Sequence, residues 1–270
     1  METFDQEIKE GKRFQFGKNW INFLKTLDTH GIVSAKTSMN QLLGAYQLPS
    51  KTFLDIGSGS GLSSLVARQM GAKVKSIDYD PNSVKSTKML KDKYLPGDSD
   101  WVIEQGSVLD KEYLNTLGQF DIVYSWGVLH HTGKMWEALE NVCPLVKNGG
   151  ILFIALYNDQ AYKSKFWWKV KKTYCSSIIG KWLISAIFLP LFFFVGILSS
   201  LKNRENIFIA YKKNRGMSIV HDWKDWLGGF PFEVAKIEEV FSYFKAQGFS
   251  LYNIKTTTSM GCNEFVFIKS

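Results

Sequence analysis

The chain has 270 residues, 45% of them apolar and 15% aromatic, with a formal net charge of +8. That length and apolar share can bury a sizeable core, which excludes a disordered or low-complexity chain. The charge is uneven: residues 1–157 carry 17 basic and 17 acidic side chains, 158–217 carry 11 and 2, and 218–270 carry 5 and 6. Basicity therefore belongs to one segment rather than to the whole surface.

The N-terminal run "METFDQEIKEGKRF" is charged and has no apolar stretch of the secretory type. Three scattered cysteines, Cys143, Cys175 and Cys262, form no CxxC or Cys/His spacing. A disulfide framework and a zinc site are not expected, and a cytoplasmic location is. Residues 18–46 read as helical with a turn at His30-Gly31. "TFLDIG" (52–57) reads as a buried strand, and "LSSLVARQMG" (62–71) as a helix closed by Gly71. Strand 72–80, a helix starting at Pro81 and running to 94, and strands 101–108 and 120–127 follow. Then come a helix over 134–146, a turn at "KNGG" and a fifth strand over 150–158. The alternation stops there and resumes at an amphipathic helix, 233–249, followed by strands 250–257 and 263–270. The expected fold is α/β, with a Rossmann-like seven-stranded, mostly parallel sheet whose last strand is antiparallel. An N-terminal helical cap (1–50) and a helical apolar and basic insertion (158–232) flank or interrupt the sheet domain (51–157 and 233–270).

"LDIGSGSG" (54–61) joins the first strand to a helix, and glycines there permit a sharp turn and close approach of a ligand. Asp55 precedes the glycines, and Asp78 ends the second strand, where a carboxylate is placed to accept ribose hydroxyls. The order "LDIGSGSG … IDYD … QGSV … FDIVYSWGVLHH … LVKNGGILFIALY" resembles class I S-adenosylmethionine-dependent methyltransferases, over residues 50–157 by motif and 233–270 by topology. The resemblance implies S-adenosyl-L-methionine as cofactor. It places Gly57, Ser58, Gly59 and Gly61 around the methionine part, with Asp55 near the amino group. It also puts Asp78 on the ribose diol, Tyr79, Ser107 and Val108 at the adenine, and Ser125 and Trp126 at the methyl-transfer site.

His130 and His131 follow the fourth strand, where acceptor and cofactor meet in that family, and an imidazole there suits a general base. Either histidine fits the role. His221, in the cluster "SIVHDWKDWLGGFPFE" with Asp222 and Asp225, is a further candidate, and aromatics of "RFQFGKNWINFL" (13–24) are placed to close over the acceptor. The region is similar in part to ubiquinone-pathway O-methyltransferases. Those carry two glutamates where this chain has Gly127 to His131, so no metal is expected.

"WLISAIFLPLFFFVGILSSL" (182–201) has membrane length and no charge, and lysines bracket it. Strands lie before and after it in one sheet, so a single crossing of a bilayer is excluded. Pro190 is expected to kink or divide the helix. An element lying in an anionic membrane interface, a lid over the acceptor and a dimer contact all remain open, and the basic flanks favour the first. The expected activity is methyl transfer to a small or lipid-linked acceptor, most readily at oxygen, near the inner membrane face. A tRNA or rRNA methyltransferase and a non-catalytic cofactor-binding scaffold are the alternatives. Nucleic acid is the less favoured partner because the basic segment has an apolar centre.

Overall fold

The structure is a computed structural model that describes residues 3–209, 211 and 219–270, apart from the His221 side chain. One sheet has the strand order β3-β2-β1-β4-β5-β7-β6. Its strands are β1 (Thr52–Ile56), β2 (Lys73–Asp78), β3 (Trp101–Gln105), β4 (Phe120–Trp126), β5 (Val146–Tyr157), β6 (Phe249–Lys255) and β7 (Cys262–Lys269). Only β7 runs against the others, paired antiparallel to both β5 and β6. The central strands are buried on both faces, and β1 reads as a nearly unbroken apolar run for that reason.

The helices divide between the two faces of the sheet. On one face α6 (Lys111–Leu117), α7 (Met135–Val142) and α11 (Ile237–Ala246) pack their apolar sides on Leu54, Val123, Leu152 and Phe267. On the other, α2 (Phe16–Leu24), α3 (Thr29–Leu43), α4 (Leu62–Gln69) and α5 (Pro81–Tyr94) pack around Phe53, Ile122, Phe153 and Trp101. A short helix α1 (Phe4–Lys9) precedes them.

Four expectations are corrected. The N-terminal helices break over residues 25–28 rather than at His30-Gly31, because the Asp28 carboxylate caps α3 by accepting from the Gly31 N–H. His30 and Gly31 therefore lie inside a helix. "KNGG" lies within β5, which starts at Val146 and meets β4 through a register shift. Helix α11 is shorter than its amphipathic pattern, since Glu233 and Ala235 are bonded instead to His130, Tyr157 and Asp159. Pro190 does not divide the helix, because α9 (Ile178–Asn203) runs through it. Pro190 lies on an exposed face, where the carbonyl of exposed Ala186 that it leaves unbonded is open to solvent.

The insertion is a helical hairpin, α8 (Tyr162–Ser176) and α9, joined at Ser177, with α10 (Ile219–Gly228) packed against both. Its core holds Val170, Tyr174, Ile184 and Leu227, with Trp167, Phe188 and Phe192. Both ends are stitched together at one place. The Ala235 N–H donates to the Tyr157 carbonyl, the Asp159 N–H donates to the Ala235 carbonyl, and Asn158 bridges Ala235.

Candidate functional site

The loop after β1 folds back over the end of β2. The N–H groups of Gly57 and Ser58 both donate to the Ile77 carbonyl, at 2.8 and 3.1 Å. Gly57 and Gly59 have φ of 79° and 55°, in the left-handed region open to glycine. A Cβ on Gly57 would lie 2.4 Å from the Val128 side chain, and one on Gly59 would lie 3.0 Å from the Trp20 indole nitrogen. The loop is therefore a backbone-lined cradle between Val128 and Trp20.

The Asp78 carboxylate is fixed at both oxygens, by the Gly59 N–H (2.9 Å) and the Asp80 N–H (2.9 Å). Each oxygen retains a lone pair, the requirement for two vicinal hydroxyls. Tyr79 lies under the Phe4 ring edge at 5.4 Å and the Arg13 guanidinium at 5.2 Å. Asp80 caps α5 and accepts from the Gly17 N–H at 2.8 Å, which ties α2 to this edge. Ser58 turns its hydroxyl to Thr87, and the Ser107 hydroxyl accepts from the Leu109 N–H. The Val108 side chain joins the core. Asp55 is buried and accepts from the Ser64 hydroxyl, within a chain that continues to Ser76 and Trp101.

These residues fit S-adenosyl-L-methionine. Gly57 to Gly61 would hold its methionine part and Asp78 its ribose, and the cofactor supplies a methyl group on an electron-poor sulfur. Burial pushes both Asp55 and Asp78 up to about 7, the Ser64 bond opposing the shift at Asp55 and the Gly59 bond at Asp78. Only an ionised Asp78 can accept from both ribose hydroxyls, so protonation removes an acceptor. S-Adenosylhomocysteine affinity should fall about tenfold between pH 8 and pH 6, the loss expected for one such titration. Asp78→Ala should weaken it by roughly 1.5–3 kcal/mol, as removal of charge-assisted hydrogen bonds does. Calorimetry checks both. An affinity that is flat with pH and unchanged in the variant removes Asp78 from the site.

The other half of the site begins where β4 ends. The Ser125 hydroxyl donates to the Ile56 carbonyl and locks β4 to β1, while Trp126 is exposed. A single 3-10 turn, Leu129–His131, then puts both histidines against Tyr157, their ring centroids 4.0 and 5.4 Å from the Tyr157 ring. The structure separates the two imidazoles. His130 Nδ1 accepts from the Tyr157 N–H at 3.3 Å, so in the neutral ring the proton is on Nε2. That Nε2 is buried and has no partner among the described residues. His131 Nδ1 is 2.6 Å from the Pro231 carbonyl, which can only accept, so Nδ1 carries the proton and Nε2 the lone pair. His131 is thus the proton acceptor of the pair and His130 the donor. Burial pushes both pKa values down, His131 to about 3, with the charge of Lys171 adding to each shift. Both rings are neutral across the physiological range.

The return of the insertion clamps this turn. The Glu233 N–H donates to the His130 carbonyl, and its carboxylate caps α7 at the Met135 N–H. Arg13 donates to the carbonyls of His131 and Thr132 while also bonding Glu7, so it links the Tyr79 side to the histidine side. From α10, Trp226 packs on Tyr157, and Asp225 is bonded by Asn19 of α2. The His221 side chain lies outside the described residues. Among the described residues an open cavity of about 450 Å³ at the root of α8, lined by Asn158, Lys163 and Lys236, includes none of the glycines or histidines at issue.

Three residues that enter the site were not singled out from the sequence: Arg13, Tyr157 and Lys171. Lys171 had a signal. It stands on the inward stripe of α8 with Trp167, Val170 and Tyr174, where the helical period calls for an apolar residue.

A strand order reversing between β1 and β4, a glycine cradle at that point and a carboxylate at the end of β2 define a class I methyltransferase fold. The comparisons agree. A family described as "Methyltransferase domain" matches residues 54–154. The ubiquinone biosynthesis O-methyltransferase of Caulobacter vibrioides is 30% identical over 123 residues, 43% of this chain and 45% of that one. The ribosomal protein L11 methyltransferase of Prochlorococcus marinus is 32% identical over 130 residues, 44% and 39% of the two chains. This chain thus covers less than half the length of these curated relatives. Among solved structures, a magnesium protoporphyrin IX methyltransferase from Synechocystis with bound SAH superposes with a TM-score of 0.54. It is 14% identical over 91% of this chain and 86% of that one, and it shares the fold. Residues 54–154 are thus a methyltransferase domain with the class I S-adenosylmethionine-dependent fold, and S-adenosyl-L-methionine is the cofactor of that class.

Proposed function

We propose that this protein transfers the methyl group of S-adenosylmethionine to an oxygen of a small or lipid-linked acceptor, at the cytoplasmic face of a membrane. The observation that carries the reading is the pair of neutral imidazoles of opposite tautomer beside Tyr157, next to the glycine cradle and roofed by an aromatic insertion. The His131 Nε2 lone pair accepts the hydroxyl hydrogen of the acceptor. The bound cofactor would supply the methyl group, and the proton would pass through His131 to water. The similarity to ubiquinone biosynthesis O-methyltransferases supports transfer to oxygen.

The exposed face of α9 supports the membrane. Ile179, Trp182, Leu183, Ile187, Leu191, Phe194, Leu198 and Leu201 recur at helical spacing and are exposed, while Ile184, Phe188 and Phe192 face the hairpin core. Lys172 and Lys181 at one end and Lys202 and Arg204 at the other are exposed and suit anionic headgroups.

The test incubates the full chain and methyl-tritiated S-adenosylmethionine with a total lipid extract, a small-phenol extract or total RNA. Label in an organic-extractable product, stable to alkali as an ether or released as methanol from an ester, is expected. Label confined to RNA overturns the acceptor assignment.

A further inference from the structure

Lys171 is fully buried on α8, and its ammonium has few partners. It donates to the Trp226 carbonyl and faces the rings of Trp226 at 4.0 Å and Phe232 at 5.0 Å. Among the described residues no carboxylate pairs with it. The ionisable groups around it come from each neighbouring element. Asp225 on α10 is held by Asn19, and Cys175, one turn further along α8, bonds the Gly228 carbonyl. His130 and His131 lie on the turn after β4.

An ammonium has three donors, and here one carbonyl and two ring faces receive them. A buried charge without an opposite charge is costly, and an unbranched apolar side chain would fill the same space without that cost. Packing therefore does not call for a lysine. Burial pushes its pKa down to about 7, so the site binds a proton weakly until a negative charge arrives.

The position narrows what that negative charge belongs to. Phe232, beside the ammonium, lies 5.1 Å from Tyr157, and Trp226 lies 5.7 Å from it, so Lys171 is one ring away from the histidines. The walls are aromatic, which suits a planar ring. A single ammonium balances one negative charge and not the two of a phosphate monoester.

We propose that Lys171 binds the ionised oxygen of the methyl acceptor, and that the acceptor is of the phenol or enol class. This rests on the O-methyltransferase reading above. The acceptor oxygen exchanges places with the Trp226 carbonyl on the ammonium, and its proton leaves through His131 to water. Lys171 keeps its three protons throughout. On transfer the oxygen becomes a neutral ether, the charge pair disappears, and the product is held more weakly than the substrate.

4-Nitrophenol is the probe, colourless when protonated and yellow when ionised. The full chain with S-adenosylhomocysteine is titrated with it at about pH 6, where the free probe is mostly colourless. A saturable yellow band is expected. Lys171→Met should weaken it about 10–100-fold, the worth of a hydrogen bond to a charged group. Lys171→Arg should keep most of it. S-Adenosylhomocysteine affinity, measured in parallel, should stay within about threefold in the Lys171 variants. Normal affinity with no band in the unaltered chain overturns the proposal. So does a band of equal strength in Lys171→Met, or, if that variant does not fold, in Lys171→Gln. A chain that binds no S-adenosylhomocysteine instead sinks the methyltransferase reading, and this proposal with it.

Discussion

Alanine at position 131 lowers methyl transfer about 10²–10⁴-fold, the usual worth of a positioned proton acceptor, while S-adenosylhomocysteine affinity stays within a few-fold. The expectation follows from the tautomer. The Pro231 carbonyl fixes the His131 proton on Nδ1 and leaves Nε2 as the basic atom. The same bond also holds the return of the insertion, so alanine costs stability as well. His131→Asn separates the two roles. Its amide N–H₂ falls near Nδ1 and can still donate to Pro231, but nothing replaces Nε2. Asparagine should recover most of the melting temperature and little of the turnover. Recovery of turnover along with stability would make His131 a structural residue. The pH profile gives a second check. His131 is pushed down to about 3, so it contributes no loss of activity as pH falls from 8 to 5. A loss in that window, on the acid side of about 7, belongs to the Asp78 and Asp55 carboxylates of the cofactor half. It should appear in cofactor affinity and vanish at saturating cofactor.

Which elements were legible from sequence depends on the range of the interactions that fix them. The strands, the glycine loop and the capped helices answer to neighbours a few residues away. Pro81 starts α5, Asp80 caps it, and Gly57 needs its positive φ. Helix α6 went unread because seven residues give too little period, although Asp110 caps it. The break near Asp28 follows from its capping carboxylate, whereas His30-Gly31 alone points to a later turn. The choice between His130 and His131 was beyond sequence. It turns on Pro231, 100 residues from His131, and on a Tyr157 N–H that only the closed sheet brings to His130. Arg13 reaches the histidine turn across 118 residues. Lys171 differs in kind. Helical spacing marks it as inward-facing, and only the rings of Trp226 and Phe232 show what an inward ammonium meets there.

Replacing Trp182, Ile187, Leu191 and Phe194 together by serine should abolish flotation with anionic vesicles and leave S-adenosylhomocysteine binding intact. All four are exposed along α9, so the substitutions remove nothing from the core. Helix α9 is the one described helix long and apolar enough to cross a bilayer, at 26 residues or about 39 Å. The hairpin geometry opposes a crossing. The chain leaves the sheet at Tyr157 and is bonded back to it at Ala235, so both ends of the insertion lie on one side of any membrane. A helix tethered in this way, apolar along its outer face and basic at its ends, is suited to lie in the interface plane. Each large side chain submerged contributes roughly 1.5–3 kcal/mol. Each lysine or arginine near the surface adds about 1 kcal/mol. Loss of four anchors therefore outweighs any remaining electrostatic attraction at physiological salt. The unaltered chain should float with vesicles containing anionic lipid and float poorly with neutral ones. It should leave the membrane in alkaline carbonate, where a spanning helix stays. Resistance to carbonate would overturn the in-plane placement. A chain that never floats, yet dimerises through α9 and loses the dimer in the serine variant, would assign the stripe to a second copy instead.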